Sequence, residues 1–152
     1  MRDNSLRIAV SPAPEPAEQL RDFLAELDFM QQVTEAEAST SLLVLSQGPG
    51  DFDAFMALVH DADDLLDAAG LRGVFQLAHF HPRYQFHGEA PQSLSHFTNR
   101  SPLPVLHLLR ESTLTRVLEG YPNPEEIPGR NIERLEALGR DAVLSLWKAP
   151  ED

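Results

Sequence analysis

The spacing of apolar residues switches between two periods along the first eighty residues, and that switching confines the chain to a layered α/β fold. Leu6, Ile8 and Val10 alternate with Arg7 and Ala9, the period-two pattern of a strand with one buried face. After SPAPEP, with Pro16 suited to a helix start, Leu20, Phe23, Leu24, Leu27 and Met30 recur at helical spacing. Glu18, Arg21, Asp22 and Glu26 are expected on the outer side of that helix. The polar stretch TEAEAST leads to SLLVLS, an unbroken apolar run that predicts a strand buried on both sides. QGPGD reads as a turn in which Asp51 caps a second helix. Phe52, Phe55, Leu58, Val59, Ala62, Leu65, Leu66 and Ala69 form that helix's apolar stripe, and Gly70 suits its end. A third strand, GVFQLAHF, runs to Phe80, and RYQFHG then forms either a hairpin partner or a loop.

The second half of the chain is less regular. From Phe80 to Pro104 it is rich in His, Pro, Ser, Asn and aromatic residues, and long loops of this kind are often functional. Ser101 and Pro102 are expected to open a third helix carrying Val105, Leu106, Leu108, Leu109, Leu114, Val117 and Leu118. After YPNPEEIPG, a last helix is expected over Ile132, Leu135, Leu138, Ala142, Val143 and Leu146, with a kink at Gly139. The predicted architecture is therefore one small α/β domain over residues 1–152. It is a βαβαβ-type layer of about three strands, followed by a long polar loop and two C-terminal helices. A ferredoxin-like α+β arrangement is the alternative.

Composition removes several function classes. With 42% hydrophobic residues the chain is too apolar for wholesale disorder, and its uncharged runs are too short or too polar to span a bilayer. At 152 residues it buries roughly 70% of its unfolded surface. The absence of cysteine excludes a disulfide scaffold, a thiolate zinc site and a catalytic thiol. The opening MRDNSLRIAVSPAPE lacks the apolar core of a secretory leader, so a cytoplasmic location is expected. The net charge of −12 disfavours nucleic acid and anionic membrane as partners. That charge is uneven. Residues 1–70 hold 3 Arg against 14 Asp and Glu, whereas residues 71–120 hold 5 Arg against 3 Glu and five of the six histidines.

The basic, histidine-rich middle is where chemistry is expected. His79 and His81 lie two apart on a strand, so both imidazoles point to one side. His87, His96 or His107 would complete a metal set, but the spacing matches no strong signature, and packed or capping histidines are the plainer account. Thr98–Asn99–Arg100–Ser101–Pro102 precedes the expected third helix. Free N–H groups there, with Arg100, would hold a carboxylate or phosphate; capping by Ser101 is the alternative. On that helix His107, Arg110 and Glu111 would share one face, as a buried network or a pocket wall. No P-loop, GxGxxG, GxSxG or HExxH motif is present.

Three ordered segments carry a family resemblance: FHPRYQF (80–86), TNRSPLPVLHLLRE (98–111) and IPGRNIERLEALG (127–139). From about Leu6 to Leu138 the chain resembles the bacterial domain-of-unknown-function family 1415, which has no assigned activity. The resemblance implies that His81, Pro82, Tyr84, Gln85 and Phe86, then Asn99 to Pro102, His107 and Arg110, and finally Arg130 and Asn131 are the positions to watch. It also implies a small polar residue at position 79 in relatives, which favours His81 and His107 over a His79–His81 metal pair. Relatives carry an N-terminal helix ending in Asn-Leu-Cys-Pro-Phe before the first strand. Its absence here would expose apolar surface that a homodimer would cover.

The leading expectation is a pocket within Phe80–Glu111 for an anionic small molecule. Arg100 and Arg110 would hold the charge and His81 would donate or accept a proton. Tyr84 and His107 are further catalytic candidates, and Asn99, Ser101, Arg130 and Asn131 further ligand-binding ones. No cofactor is indicated. The rival reading is a non-enzymatic binding or assembly protein whose polar motifs brace the fold, and a histidine metal site is the weaker third.

Overall fold

The computed structural model describes residues 5–147; residues 1–4 and 148–152, the two ends of the expected domain, lie outside the described residues. Strand β1 (Leu6–Ser11) leads into helix α1 (Pro16–Gln32), and β2 (Thr40–Leu45) leads into α2 (Phe52–Ala68). Strand β3 (Phe75–Phe80) is followed by a long loop with one short 3-10 helix at Leu94–Asn99, then β4 (Val105–Arg110). Among the described residues three α-helices follow: α3 (Glu111–Glu119), α4 (Ile127–Leu138) and α5 (Arg140–Leu146), with a 3-10 turn at Pro124–Glu126 before α4.

The elements of the first half follow the apolar periods, but the face of β1 expected to be buried, Leu6, Ile8 and Val10, is the exposed one. Asp51 caps α2 through its Oδ1, which accepts the Ala54 N–H at 2.8 Å. Gly70 ends that helical region with φ +71°, a conformation that costs glycine little. Phe23, Leu27 and Met30 of α1 and Phe55, Leu58, Ala62 and Leu66 of α2 are fully buried against Leu43, Leu45 and Phe75 of the sheet. One outer-face expectation is overturned: Glu26 is only 5% exposed. Arg7 and Ser11 point inward from β1. The Arg7 guanidinium binds both Glu26 carboxylate oxygens, and Ser41 Oγ donates to the same carboxylate at 2.5 Å. A charge can stay in that layer because it is paired and hydrogen-bonded there.

The second half departs from expectation at one decisive element. The segment VLHLLR is not helical. It forms β4, the fourth strand of a sheet ordered β1-β2-β4-β3, with β1 parallel to β2 and β4 antiparallel to both its neighbours. Six residues of mostly apolar character are strand-length, and a strand flanked on both sides reads as a nearly continuous apolar run. Pro102 and Pro104 do not open a helix; the Pro104 carbonyl accepts the Leu45 N–H at 2.9 Å just before β4 begins. Helix starts only at Glu111, and Gly139, with φ +82°, breaks the last helical stretch into α4 and α5 instead of kinking it.

Helices α1 and α2 cover one face of this sheet. The other face carries three cross-strand rows: Leu6–Thr40–Leu109–Gln76, Ile8–Leu42–His107–Ala78 and Val10–Val44–Val105–Phe80. None of these side chains is charged. At the β1 edge they are open to solvent, with Leu6 52%, Ile8 62% and Val10 60% exposed. The run SLLVLS is accordingly buried on its helix side and only half-buried on this one.

Candidate functional site

The long loop after β3 is held by side chains bonded to backbone, which is how a segment without a regular ladder satisfies its polar groups. His81 stands just past the end of β3 and is 1% exposed. Its Nδ1 accepts the Arg83 N–H at 3.0 Å, so its Nε2 carries the proton and donates to the Pro49 carbonyl at 2.8 Å. The ring packs on Phe52 and Phe55, and burial pushes its pKa below the ordinary histidine value. His96, fully buried, repeats the arrangement: Nδ1 accepts the Phe86 N–H at 3.0 Å and Nε2 donates to the Ala90 carbonyl at 2.8 Å.

The neighbouring motif residues serve the same loop. Asn99 Nδ2 donates to the His79 carbonyl at 3.2 Å, and the Asn99 carbonyl receives the His81 N–H at 3.1 Å. Arg100 Nε donates to the Tyr84 carbonyl at 3.2 Å while its guanidinium lies 4.5 Å from the Phe97 ring centre. Tyr84 is boxed by Phe52, His79 and Phe86, with ring centres 4.9, 5.5 and 5.0 Å away. Burial pushes its hydroxyl above the usual tyrosine range, opposed by a hydrogen bond with the Asn99 side chain. Ser101 Oγ donates to the Leu103 carbonyl and caps no helix.

The expected meeting of His81, Arg100 and Arg110 does not form. Because residues 105–110 are extended, His107 and Arg110 fall on opposite faces of the sheet instead of on one face of a helix. Arg110 pairs with Phe75 at the far end of β4, whereas Phe80, next to His81, pairs with Val105. Five strand residues separate those pairs by about 17 Å. Arg110 instead binds the end of α1: Nη2 donates to the Met30 and Val33 carbonyls at 2.7 and 3.0 Å, and Nε to the Ala38 carbonyl at 3.0 Å. His107 lies half-buried on the face opposite α1 and α2, its Nε2 2.6 Å from Thr40 Oγ1, and burial lowers its pKa. Arg130 closes the turn before α4 by donating to the Pro122 and Asn123 carbonyls.

The motif segments do converge, but on apolar ground. A hollow of about 710 Å³ lies between β3 and α4. Ala78 and Phe80 of β3 and Phe86 from the loop line it, with Ser95, Thr98 and Asn99 from the short 3-10 helix and Ile127, Pro128, Asn131 and Ile132 from α4. His87 and Glu89 are exposed at its rim. Asn131, expected as a ligand residue, makes no side-chain hydrogen bond among the described residues. Ile127, Ile132 and Ala78 escape a sequence reading because apolar residues there signal core as readily as pocket. A second hollow, of about 520 Å³, lies beside α2 and shares Phe86 and His87 with the first.

His79 and His81 do lie on one side of the chain, both against Phe55, but both His81 nitrogens are occupied. Among the described residues no group of three or more His, Asp or Glu side chains is placed to hold a metal ion. No helix among them is long and apolar enough to cross a membrane. In comparison with known proteins, the family model described as a protein of unknown function, DUF1415, matches residues 1–145. No curated protein and no solved structure matches the chain.

Proposed function

We propose, starting from the fact that this chain belongs to the DUF1415 family of proteins of unknown function, that it binds a small organic molecule in the hollow between β3 and α4. One observation carries this reading: segments 80–86, 98–111 and 127–139, far apart in sequence, each supply walls to that one space. Its volume and mostly apolar lining fit the usual dimensions of a ligand site. The anionic ligand expected from sequence loses its two main holders, since Arg100 and Arg110 are engaged with backbone carbonyls. His81 is likewise better suited to bracing than to proton transfer, because either role for its nitrogens would require breaking a buried bond. A screen of small aromatic and branched aliphatic compounds, followed by amide chemical shifts, tests the proposal. Shifts are expected to cluster at Phe80, Phe86 and Ile132 and to vanish in Ile132→Trp, which fills the space from a half-buried position. Binding that survives in a folded Ile132→Trp, or shifts confined elsewhere, would overturn it.

A second reading concerns partners, and the bare edge of β1 favours it. Among the described residues strand β1 has a neighbour on one side only, and its exposed Leu6, Ile8 and Val10 are symmetric about Ile8. A second copy pairing antiparallel through Ile8 would set Leu6 against Val10 and Ile8 against its own copy, with Arg7 opposite the small Ala9 on the other face. Sedimentation of the full chain tests this: a dimer that Ile8→Lys converts to monomer supports it, and a monomeric parent protein sinks it.

A further inference from the structure

We infer that the ligand of this hollow is an organic ammonium compound, a protonated amine on a compact aromatic or branched apolar body; the inference rests on the small-molecule reading above. Among the described residues the lining contains no Lys or Arg, and three arginines of the neighbouring segments bind backbone carbonyls. Arg100 binds the Tyr84 carbonyl, Arg130 the Pro122 and Asn123 carbonyls, and Arg140 the Gln92 carbonyl. Among the described residues an anion in this space would therefore meet no Lys or Arg and would face the Glu89 carboxylate. An ammonium group meets the reverse situation. Glu89 has no ion pair or side-chain hydrogen bond among the described residues, and Phe80 and Phe86 line the space with aromatic rings, the groups that attract a cation.

The neutral polar groups narrow the choice further. Ser95 Oγ is shared with Ser93, Thr98 Oγ1 donates to the Ser95 carbonyl, and the Asn99 amide holds the His79 carbonyl. What is left for a ligand is the Asn131 amide and the His87 ring, each with both donor and acceptor, and the Glu89 carboxylate, which only accepts. The net charge of −12 adds a long-range field that draws cations and repels anions.

The test compares phenethylamine, phenethyl alcohol and phenylacetate, which share one ring and differ in head group, by titration of the full chain followed through amide shifts. The amine is expected to bind roughly threefold to tenfold more tightly than the alcohol, with phenylacetate weakest. In Glu89→Gln, a surface change that leaves the fold intact, the amine should fall to the level of the alcohol while the alcohol is unaffected. Alcohol and carboxylate binding as tightly as the amine would overturn the charge inference and leave the cavity reading standing. An amine preference unchanged by Glu89→Gln would overturn it as well. If none of the three probes shifts any lining residue, the cavity reading falls and this inference with it.

Discussion

Replacing Arg110 separates a brace from a binding residue. Its guanidinium satisfies three carbonyls at and just beyond the end of α1, those of Met30, Val33 and Ala38. It also sits over the Phe75 ring, 5.4 Å from the centre. A hydrogen bond from a charged donor contributes about 1.5–3 kcal/mol. The three here share one group at a half-buried position, and the carbonyls regain some water when it leaves, so their sum must be discounted. Arg110→Met, which keeps the apolar stem, should cost about 3 kcal/mol. Arg110→Lys should recover about half of that, because an ammonium cannot span three acceptors in the plane of a guanidinium. For a chain of this length the Met variant should melt about 6–12 °C lower. Urea unfolding gives the free energy directly, and an unchanged m-value would show that only stability moved. A loss below about 1 kcal/mol for Arg110→Met, with the Lys variant no better, would refute the assignment.

The remaining predictions follow the same logic. His79, His81 and His107 are all held below the ordinary histidine pKa by burial, so the unfolded chain binds protons that the folded chain refuses. Stability should therefore be complete above about pH 6.5 and fall as pH drops below it, by up to about 1.4 kcal/mol per pH unit for each histidine. Urea midpoints across that range measure it; a flat or rising profile on acidification would contradict the burial. A methyl group at Gly48 would lie 2.8 Å from Leu45 Cβ and 3.1 Å from Pro104 Cγ, so Gly48→Ala should cost about 1–3 kcal/mol. Gly50→Ala, whose methyl meets nothing within 4 Å, serves as the neutral control in the same thermal melts. Glu26→Gln leaves Arg7 without its counter-charge and should cost about 2 kcal/mol, less than a fully buried pair because Arg7 is half-exposed. Unfolding in urea at neutral pH would show it.

Much of the candidate site was visible in the sequence as positions but not as roles. His81, Tyr84, Asn99 and Arg100 all belong to one loop held by side-chain-to-backbone bonds. Asn131 reaches the hollow that the motifs share. The roles failed where they depended on the geometry of residues 105–110. Read as a helix, that stretch puts His107 beside Arg110; built as a strand, it puts them on opposite faces. The Glu26 carboxylate was misplaced for a related reason. Helical spacing alone puts it beside the solvent-facing acids, but Arg7 and Ser41, from two different strands, draw it inward.

Local chemistry was enough to set the elements whose cause is local. The strand pattern of β1, the apolar stripes of α1 and α2, the Asp51 cap and the turn at Gly70 each follow from residues within a few positions of one another. Which face of β1 is buried does not, since Leu6, Ile8 and Val10 are exposed and Arg7 turns inward to Glu26. The fate of VLHLLR was not local. A run apolar at nearly every position suits a buried helix turn or a central strand equally well. The open slot between β2 and β3, with unpaired backbone on both sides, selected the strand. That one choice sent Arg110 to the end of α1, turned His107 to the opposite face of the sheet and set β3 at the edge beside α4. The hollow between them exists only because of it.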